Sequence, residues 1–356
     1  MSRPIELFSP SAALCHETPA EASSQAKNSS SNWKKELAAA TTSVSSLLKQ
    51  LKLEHALKII DLQPDFKCLV TESFINKIEA GNINDPLLQQ ILPLNDENNA
   101  IMQHQGVSDP VGDIQAMATP GLLHKYHGRS LLISTGACAV HCRYCFRRHY
   151  PYQQFSSSPR SQTETLAYLK KNSDIEEIIL SGGDPLILDN KRLGQLIDKL
   201  ESVPHLQTLR IHTRLPVVLP DRIDDGLLQI LRQTRFQVVL VTHINHANEI
   251  QQIEKDKFLL LHKAGIMLFN QSVLLKGIND SSAELINLSK QLFDSKIIPY
   301  YLHMLDPVKG AMHFSVDKNT AIQLYKEAEQ KLPGYLLPKM VQDIEGNKSK
   351  TAIFSI

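Results

Sequence analysis

The chain lacks any run of eighteen apolar residues, so no transmembrane helix is expected. Its first residues, MSRPIELFSPSAALCHETPAEASSQ, contain no continuous apolar stretch of the kind a secretory signal needs, which points to the cytoplasm. An excess of one charge is also missing. With 38 Lys and Arg against 37 Asp and Glu, the formal net charge is +1, which gives neither a basic field for nucleic acid nor an acidic tail. Cysteine is scarce, at 5 in 356 residues. In a reducing compartment so few thiols do not make a disulfide framework. Cys15 and Cys68 stand alone, but Cys138, Cys142 and Cys145 crowd into GACAVHCRYCFRRHY, Gly136 to Tyr150. A fourth thiol nearby is absent. A closed zinc site takes four ligands, and an electron-transfer iron–sulfur cluster takes four thiolates. Three thiolates on a four-iron cubane leave one iron open to a substrate or cofactor, the logic of the open position at a catalytic zinc. His141 or His149 could instead complete a zinc site and make the chain a Cys/His zinc-binding interaction module, an alternative of another class.

The chain divides by composition. Residues 1–31, rich in Ser, Ala and Glu, are expected to be disordered. Residues 32–115 read as a helical N-terminal section, with apolar residues at helical spacing in WKKELAAATTSVSSLLKQLKL and DPLLQQILPL. Within residues 116–335 the rhythm changes to six apolar strand-like runs, at 131–135, 175–183, 208–214, 237–246, 266–275 and 297–305. Helix-like stretches such as DNKRLGQLIDKLESV and SAELINLSKQLFDS lie between them. Strands alternating with helices mean βα units, a parallel sheet and an α/β fold. Six units are fewer than a closed barrel's eight, so a partial (β/α)6 barrel is expected, with a doubly wound sheet as the alternative. Residues 336–356 form a C-terminal segment. Polar residues follow every strand, which points to one site at the carboxyl ends of the strands.

The Cys-x3-Cys-x2-Cys spacing, with Tyr144 before the last cysteine, resembles the radical S-adenosylmethionine superfamily. The resemblance implies a 4Fe-4S cluster on Cys138, Cys142 and Cys145, and S-adenosylmethionine bound at its open iron. The superfamily's glycine motif follows the second strand, where Ser181, Gly182, Gly183 and Asp184 match it. By themselves those glycines would read as a tight βα turn.

From about Asp109 onward the chain resembles the lysine 2,3-aminomutase family, through DPVGD, LLHKYHGRSLLI, CRYCFRR, ILSGGDPL, HTRLPVVLP, THINH, NQSVLLKGIND and LPGYLLPK. This resemblance implies pyridoxal phosphate as a further cofactor, a deoxyadenosyl radical and an aldimine as the working species, and migration of an α-amino group to the adjacent β-carbon. Pyridoxal phosphate needs a Schiff-base lysine. By spacing alone Lys276, Lys309, Lys339, Lys348 and Lys350 are all eligible. The resemblance selects Lys350, in GNKSKTA, although the family's usual glycine run has become EGNKS and Lys348 stays a rival. It also gives Arg147 the substrate carboxylate, and Asp280 and Asp306 the ε-ammonium of L-lysine. Lys125, Arg129 and Arg214 are candidates for a phosphate or carboxylate, and His243 and Gln271 for cofactor contact.

Within the family, the two ends of the sequence resemble the elongation factor P (R)-β-lysylation branch. The tail that carries further cysteines in free-lysine mutases does not follow Lys350. That branch turns (S)-α-lysine into (R)-β-lysine, which a ligase resembling lysyl-tRNA synthetase attaches to elongation factor P. An electron donor such as flavodoxin is implied, and neither nucleic acid nor membrane is. A free-lysine 2,3-aminomutase of catabolism or osmolyte synthesis is the alternative within the class.

Overall fold

The computed structural model of the protein describes residues 32–99, 103–154 and 159–353. The expected disorder of residues 1–31 falls outside them. Ten strands form one sheet in the order of the chain: β1 (Met117–Thr119), β2 (Leu122–Tyr126), β3 (Arg129–Thr135), β4 (Glu177–Gly182), β5 (Thr208–Thr213), β6 (Gln237–Thr242), β7 (Met267–Val273), β8 (Ile298–His303), β9 (Lys339–Gln342) and β10 (Thr351–Ala352). From β3 to β9 every neighbour is parallel, while β1, β2 and β10 pair antiparallel at the two edges. A doubly wound sheet reverses its strand order part-way. This one never does, so its crossovers all advance in the same sense and the sheet is an open, singly wound partial barrel.

Six helices fill the six crossovers: α2 (Pro159–Lys171), α3 (Asn190–Glu201), α4 (Asp225–Gln233), α5 (Gln252–Lys263), α6 (Ser282–Asp294) and α7 (Lys318–Glu329); a shorter α1 (Val44–Gln50) precedes them. Their starts are written in the sequence. Asp189, Asp224, Ser281 and Asp317 each accept a backbone N–H of the first turn. The inner face of α3 buries Leu193, Ile197 and Leu200 at helical spacing, about 1.5–3 kcal/mol for each such side chain taken from water. No described helix is long and apolar enough to cross a membrane.

Strand parity divides the core from the site. On β4, Ile178 and Leu180 join the main hydrophobic core, while Ile179 and Ser181 line the central cavity. On β5, Leu209 and Ile211 join the core, while Arg210 and His212 line the cavity. A period of two along a strand forces this alternation.

The six expected strands all form, shorter by a residue or more at most ends. Two features differ from expectation. Ahead of the first expected strand, at 131–135, the chain already holds the β1–β2–β3 meander, with Tyr126 paired to Arg129 across a two-residue His127-Gly128 turn. Beyond the sixth unit, β9 and β10 extend the sheet and bring the C-terminal segment to its edge. The N-terminal section is helical only in short pieces, the longest of them seven residues each, at α1 and over 32–38.

Candidate active site

A cavity of about 510 Å³ opens at the carboxyl ends of the strands and runs into the barrel. Its lining includes Cys138, Cys142, Cys145, Arg147, Ser181, Gly182, Gly183, Asp184, Arg214, His243, Gln271, Asp306 and Lys350. All but one of the site residues that the family resemblance selects are therefore gathered in one place. The exception is Asp280, whose carboxylate accepts the Gly277 N–H at 3.0 Å and caps its own turn, outside the lining.

The cysteine loop is fastened from behind by the N-terminal section. His141 N–H and Arg143 N–H donate to the carbonyls of Leu69 and Gln90, both at 2.9 Å. The fully buried Arg143 forks onto Glu97, with its Nε at 2.7 Å from Oε1. In front, the glycine loop is clamped to it, since Gly183 N–H donates to Thr135 O at 2.7 Å and Asp184 N–H to Ala137 O at 2.8 Å. A Cβ on Gly183 would stand 2.2 Å from Ala137 O, and one on Gly182, whose φ is +119°, 2.4 Å from Thr135 O. Only glycine lets the two loops approach this closely. Asp184 ties the glycine loop to the end of β5. It accepts from Thr213 Oγ1 and from Arg214 N–H at 2.7 Å, and burial raises its carboxyl to about 6.

Two clusters of charged groups line the cavity. On one side Asp113 bridges Arg147 Nε at 2.7 Å and Lys125 Nζ at 2.6 Å, and Arg147 also donates to Ser181 Oγ at 2.9 Å. Burial pushes the Asp113 carboxyl up, but the two cations outweigh it and hold it below the ordinary value. On the other side Asp343 accepts Lys350 Nζ and the Tyr126 hydroxyl, both at 2.6 Å. Near them Asp306 is different. Its Oδ1 has no hydrogen-bond partner among the described residues, and burial together with the Asp343 charge raises its carboxyl to about 7. His212, His303 and His243 are held neutral chiefly by burial, His243 with a value lowered to about 3. His243 shares a 3.0 Å hydrogen bond with Tyr144 and stacks on its ring.

Residues 132–288 match the Radical SAM superfamily. Over 323 residues the chain is 46% identical to the L-lysine 2,3-aminomutase of Haemophilus influenzae, covering 90% of this chain and 95% of that one. It is 42% identical to the L-lysine 2,3-aminomutase of Escherichia coli K12 over 325 residues, 90% of this chain and 94% of the other. With the enzyme of that name from Clostridium subterminale it shares 31% over 325 residues, 90% of this chain and 77% of that one. The chain belongs to the L-lysine 2,3-aminomutase family. It is thus a radical S-adenosylmethionine enzyme, of a superfamily that works with a 4Fe-4S cluster.

The residues present fit the groups that this family implies. Three thiols share one loop, and burial first, then Cys145, Asp184 and Cys142, keeps the Cys138 thiol well above its ordinary range. Such a set becomes a stable trio of thiolates only around positive charge. No three His, Cys, Asp or Glu side chains among the described residues converge as the ligands of a single metal ion do. His141 Nδ1 meets Lys67 O at 2.8 Å and His149 Nε2 meets Lys309 O at 3.1 Å, which leaves one ring nitrogen of each without that contact. Of the five eligible lysines, Lys276, Lys309, Lys339 and Lys348 are exposed, and only Lys350 lines the cavity. Arg129 also lines it, above the ring of Tyr126. Arg214 offers no free fork for a phosphate, because its terminal nitrogens are taken by Cys142, Gln90 and Glu249. The sequence reading missed Asp113, Tyr126, Arg210, Tyr301, His303 and Asp343 as lining residues. Strand parity would have found Arg210, Tyr301 and His303; Asp343 carries no local signal.

Proposed function

We propose that the protein converts (S)-α-lysine to (R)-β-lysine in the cytoplasm, for attachment to elongation factor P by a ligase resembling lysyl-tRNA synthetase. Asp306 carries the reading. A half-buried aspartate whose Oδ1 is buried and has no hydrogen-bond partner among the described residues shares one cavity with Lys350 and Arg147, and such a group needs a cation to complete it. An ε-ammonium supplies that cation, and the α-carboxylate of the same molecule suits the guanidinium of Arg147.

Cys138, Cys142 and Cys145 would hold the cluster and leave one iron open. The backbone of Ser181, Gly182, Gly183 and Asp184, with His243 and Gln271, would seat S-adenosylmethionine beside it. Lys350 would attach pyridoxal phosphate covalently, with Lys125 and Arg129 on the β2–β3 hairpin toward its phosphate. When bound, these cofactors supply a carbon radical strong enough to take the unacidic β-hydrogen and a π-bonded nitrogen that can migrate. The chain's own work is different. Asp343 holds and orients Lys350 Nζ, the neutral His212 and His303 line the lumen without competing for anions, and the packed loops keep water from a reactive radical. An external one-electron donor such as flavodoxin would charge the cluster.

Steady-state kinetics on lysine, ornithine, alanine and glutamate test the substrate assignment. Lysine should be preferred and glutamate poor, since glutamate brings no cation to Asp306. Equal efficiency on glutamate would withdraw it. Free-lysine metabolism is the competing role, and transfer of the product to elongation factor P by its ligase separates the two.

A further inference from the structure

Arg214, the residue after β5, is buried and aims its guanidinium at the cysteine loop. One terminal nitrogen donates to Cys142 Sγ at 2.8 Å, and the other to Gln90 Oε1 at 2.6 Å and Glu249 Oε2 at 2.8 Å. The guanidinium also lies over the rings of Phe74 and Tyr144, 5.3 and 5.8 Å from their centroids. Phe74 and Gln90 come from the N-terminal section, which so forms the far wall of this arginine's site. Glu249 is fully buried and is fixed in turn by the N–H groups of Asn245 and His246, at 2.8 and 3.1 Å. Behind it Lys77, itself paired with Glu254 at 2.8 Å, donates to the Glu249 carbonyl at 3.0 Å. The buried Arg214–Glu249 ion pair, backed by Lys77 through the Glu249 main chain, thus ends on a cysteine sulfur.

Buried ion networks are costly to desolvate, and an apolar core of the same volume is often as stable. Stability alone therefore does not explain this one, and its open end does. Reduction makes an iron–sulfur cluster more negative. A cation that donates a hydrogen bond to a ligand sulfur favours the reduced state, and a nearby carboxylate opposes it; both are recognised levers on the potential. We propose that Arg214, through its contact with Cys142 Sγ, raises the reduction potential of the cluster, and that Glu249 and Gln90 set the size of the effect by fixing and partly offsetting its charge. Arg214 is then a tuning residue and no ligand. The inference rests on the cluster assignment above. The step concerned is the transfer of one electron from an external donor to the oxidised cluster, with no bond made or broken.

The test is a potentiometric titration of the anaerobically reconstituted full chain, followed by electron paramagnetic resonance of the reduced cluster, without S-adenosylmethionine. Iron and sulfide content are measured first. Arg214→Met should lower the midpoint by at least the shift of a tenfold change in a one-electron equilibrium, about 59 mV. Arg214→Lys, which keeps the charge, should lower it less. Glu249→Gln, nearly the same shape, should raise it. Opposite signs at the two ends of one ion pair are what a merely structural network would not give. If Arg214→Met fails to load iron, the sign of the Glu249→Gln shift decides. Loaded variants with unchanged midpoints, or shifts of the same sign, would overturn this inference alone. A wild-type chain that takes up no iron would overturn the cluster assignment and this inference with it.

Discussion

Replacing Asp306 by Asn changes a group that titrates in the working range. Its carboxyl is raised from 3.8 to about 7, first by burial and then by Asp343. An ε-ammonium binds well only to the ionised form. Above pH 7 most wild-type molecules are ready, and the variant lacks the charge altogether. Removing one partner of a buried ion pair costs about 2–5 kcal/mol, or roughly thirty-fold and upward in kcat/KM for lysine. Below pH 7 the wild type must also lose a proton to bind, at about 1.4 kcal/mol per pH unit. The wild-type advantage should therefore shrink about tenfold per unit as pH falls through 7. Folding has the opposite sign. Between about 4 and 7 the folded protein binds more protons at this site than the unfolded chain, so this group's contribution to stability falls as pH rises across that window. Asn, a neutral mimic of the acid, should match or exceed the wild-type melting temperature at pH 8. Steady-state kinetics at pH 6, 7 and 8 with thermal melts check both halves. A pH-independent ratio, or unchanged lysine kinetics, would refute the reasoning.

Other perturbations probe the remaining parts of the site. Replacing Cys138, Cys142 or Cys145 by Ala should abolish iron loading, while Cys68→Ala, in the core of the N-terminal section, should leave iron content unchanged; metal and sulfide analysis reads this. Borohydride reduction of the cofactor-loaded protein should fix pyridoxal phosphate on the Lys350 peptide, and Lys350→Ala should remove the label; mass spectrometry that finds it on Lys348 would move the assignment. Gly183→Ala should cut S-adenosylmethionine binding at least tenfold, since the new Cβ would meet Ala137 O at 2.2 Å and force the glycine and cysteine loops apart. Equilibrium dialysis with labelled ligand measures it.

The βα series was legible because β3 to β8 are apolar runs bounded by Gly, Pro and polar residues, and because α3, α4 and α6 each have a capping residue and buried apolar positions at helical spacing. The β1–β2 meander was not. Its strands are of three and five residues among Gly and Pro, and its pairing is a property of the sheet edge. β9, of four residues, owes its existence to β8 beside it, and β10, of two, to β9. In the site, the cysteines, the glycine loop and Arg147 could be read because close spacing fixes their chemistry. Asp343 could not, because its meaning comes from Lys350 and Tyr126, seven and 217 residues away. Arg214 could be seen as a cation, but its commitment to Cys142 depends on Gln90 and Glu249, 124 and 35 residues distant.

The most direct measurement is anaerobic incubation of the reduced, reconstituted protein with L-lysine, S-adenosylmethionine and pyridoxal phosphate, followed by chiral analysis of the amino acids. The account predicts (R)-β-lysine, formed only when all three additions are present and lost in Lys350→Ala. Lysine recovered unchanged from iron-loaded protein that cleaves S-adenosylmethionine would contradict it.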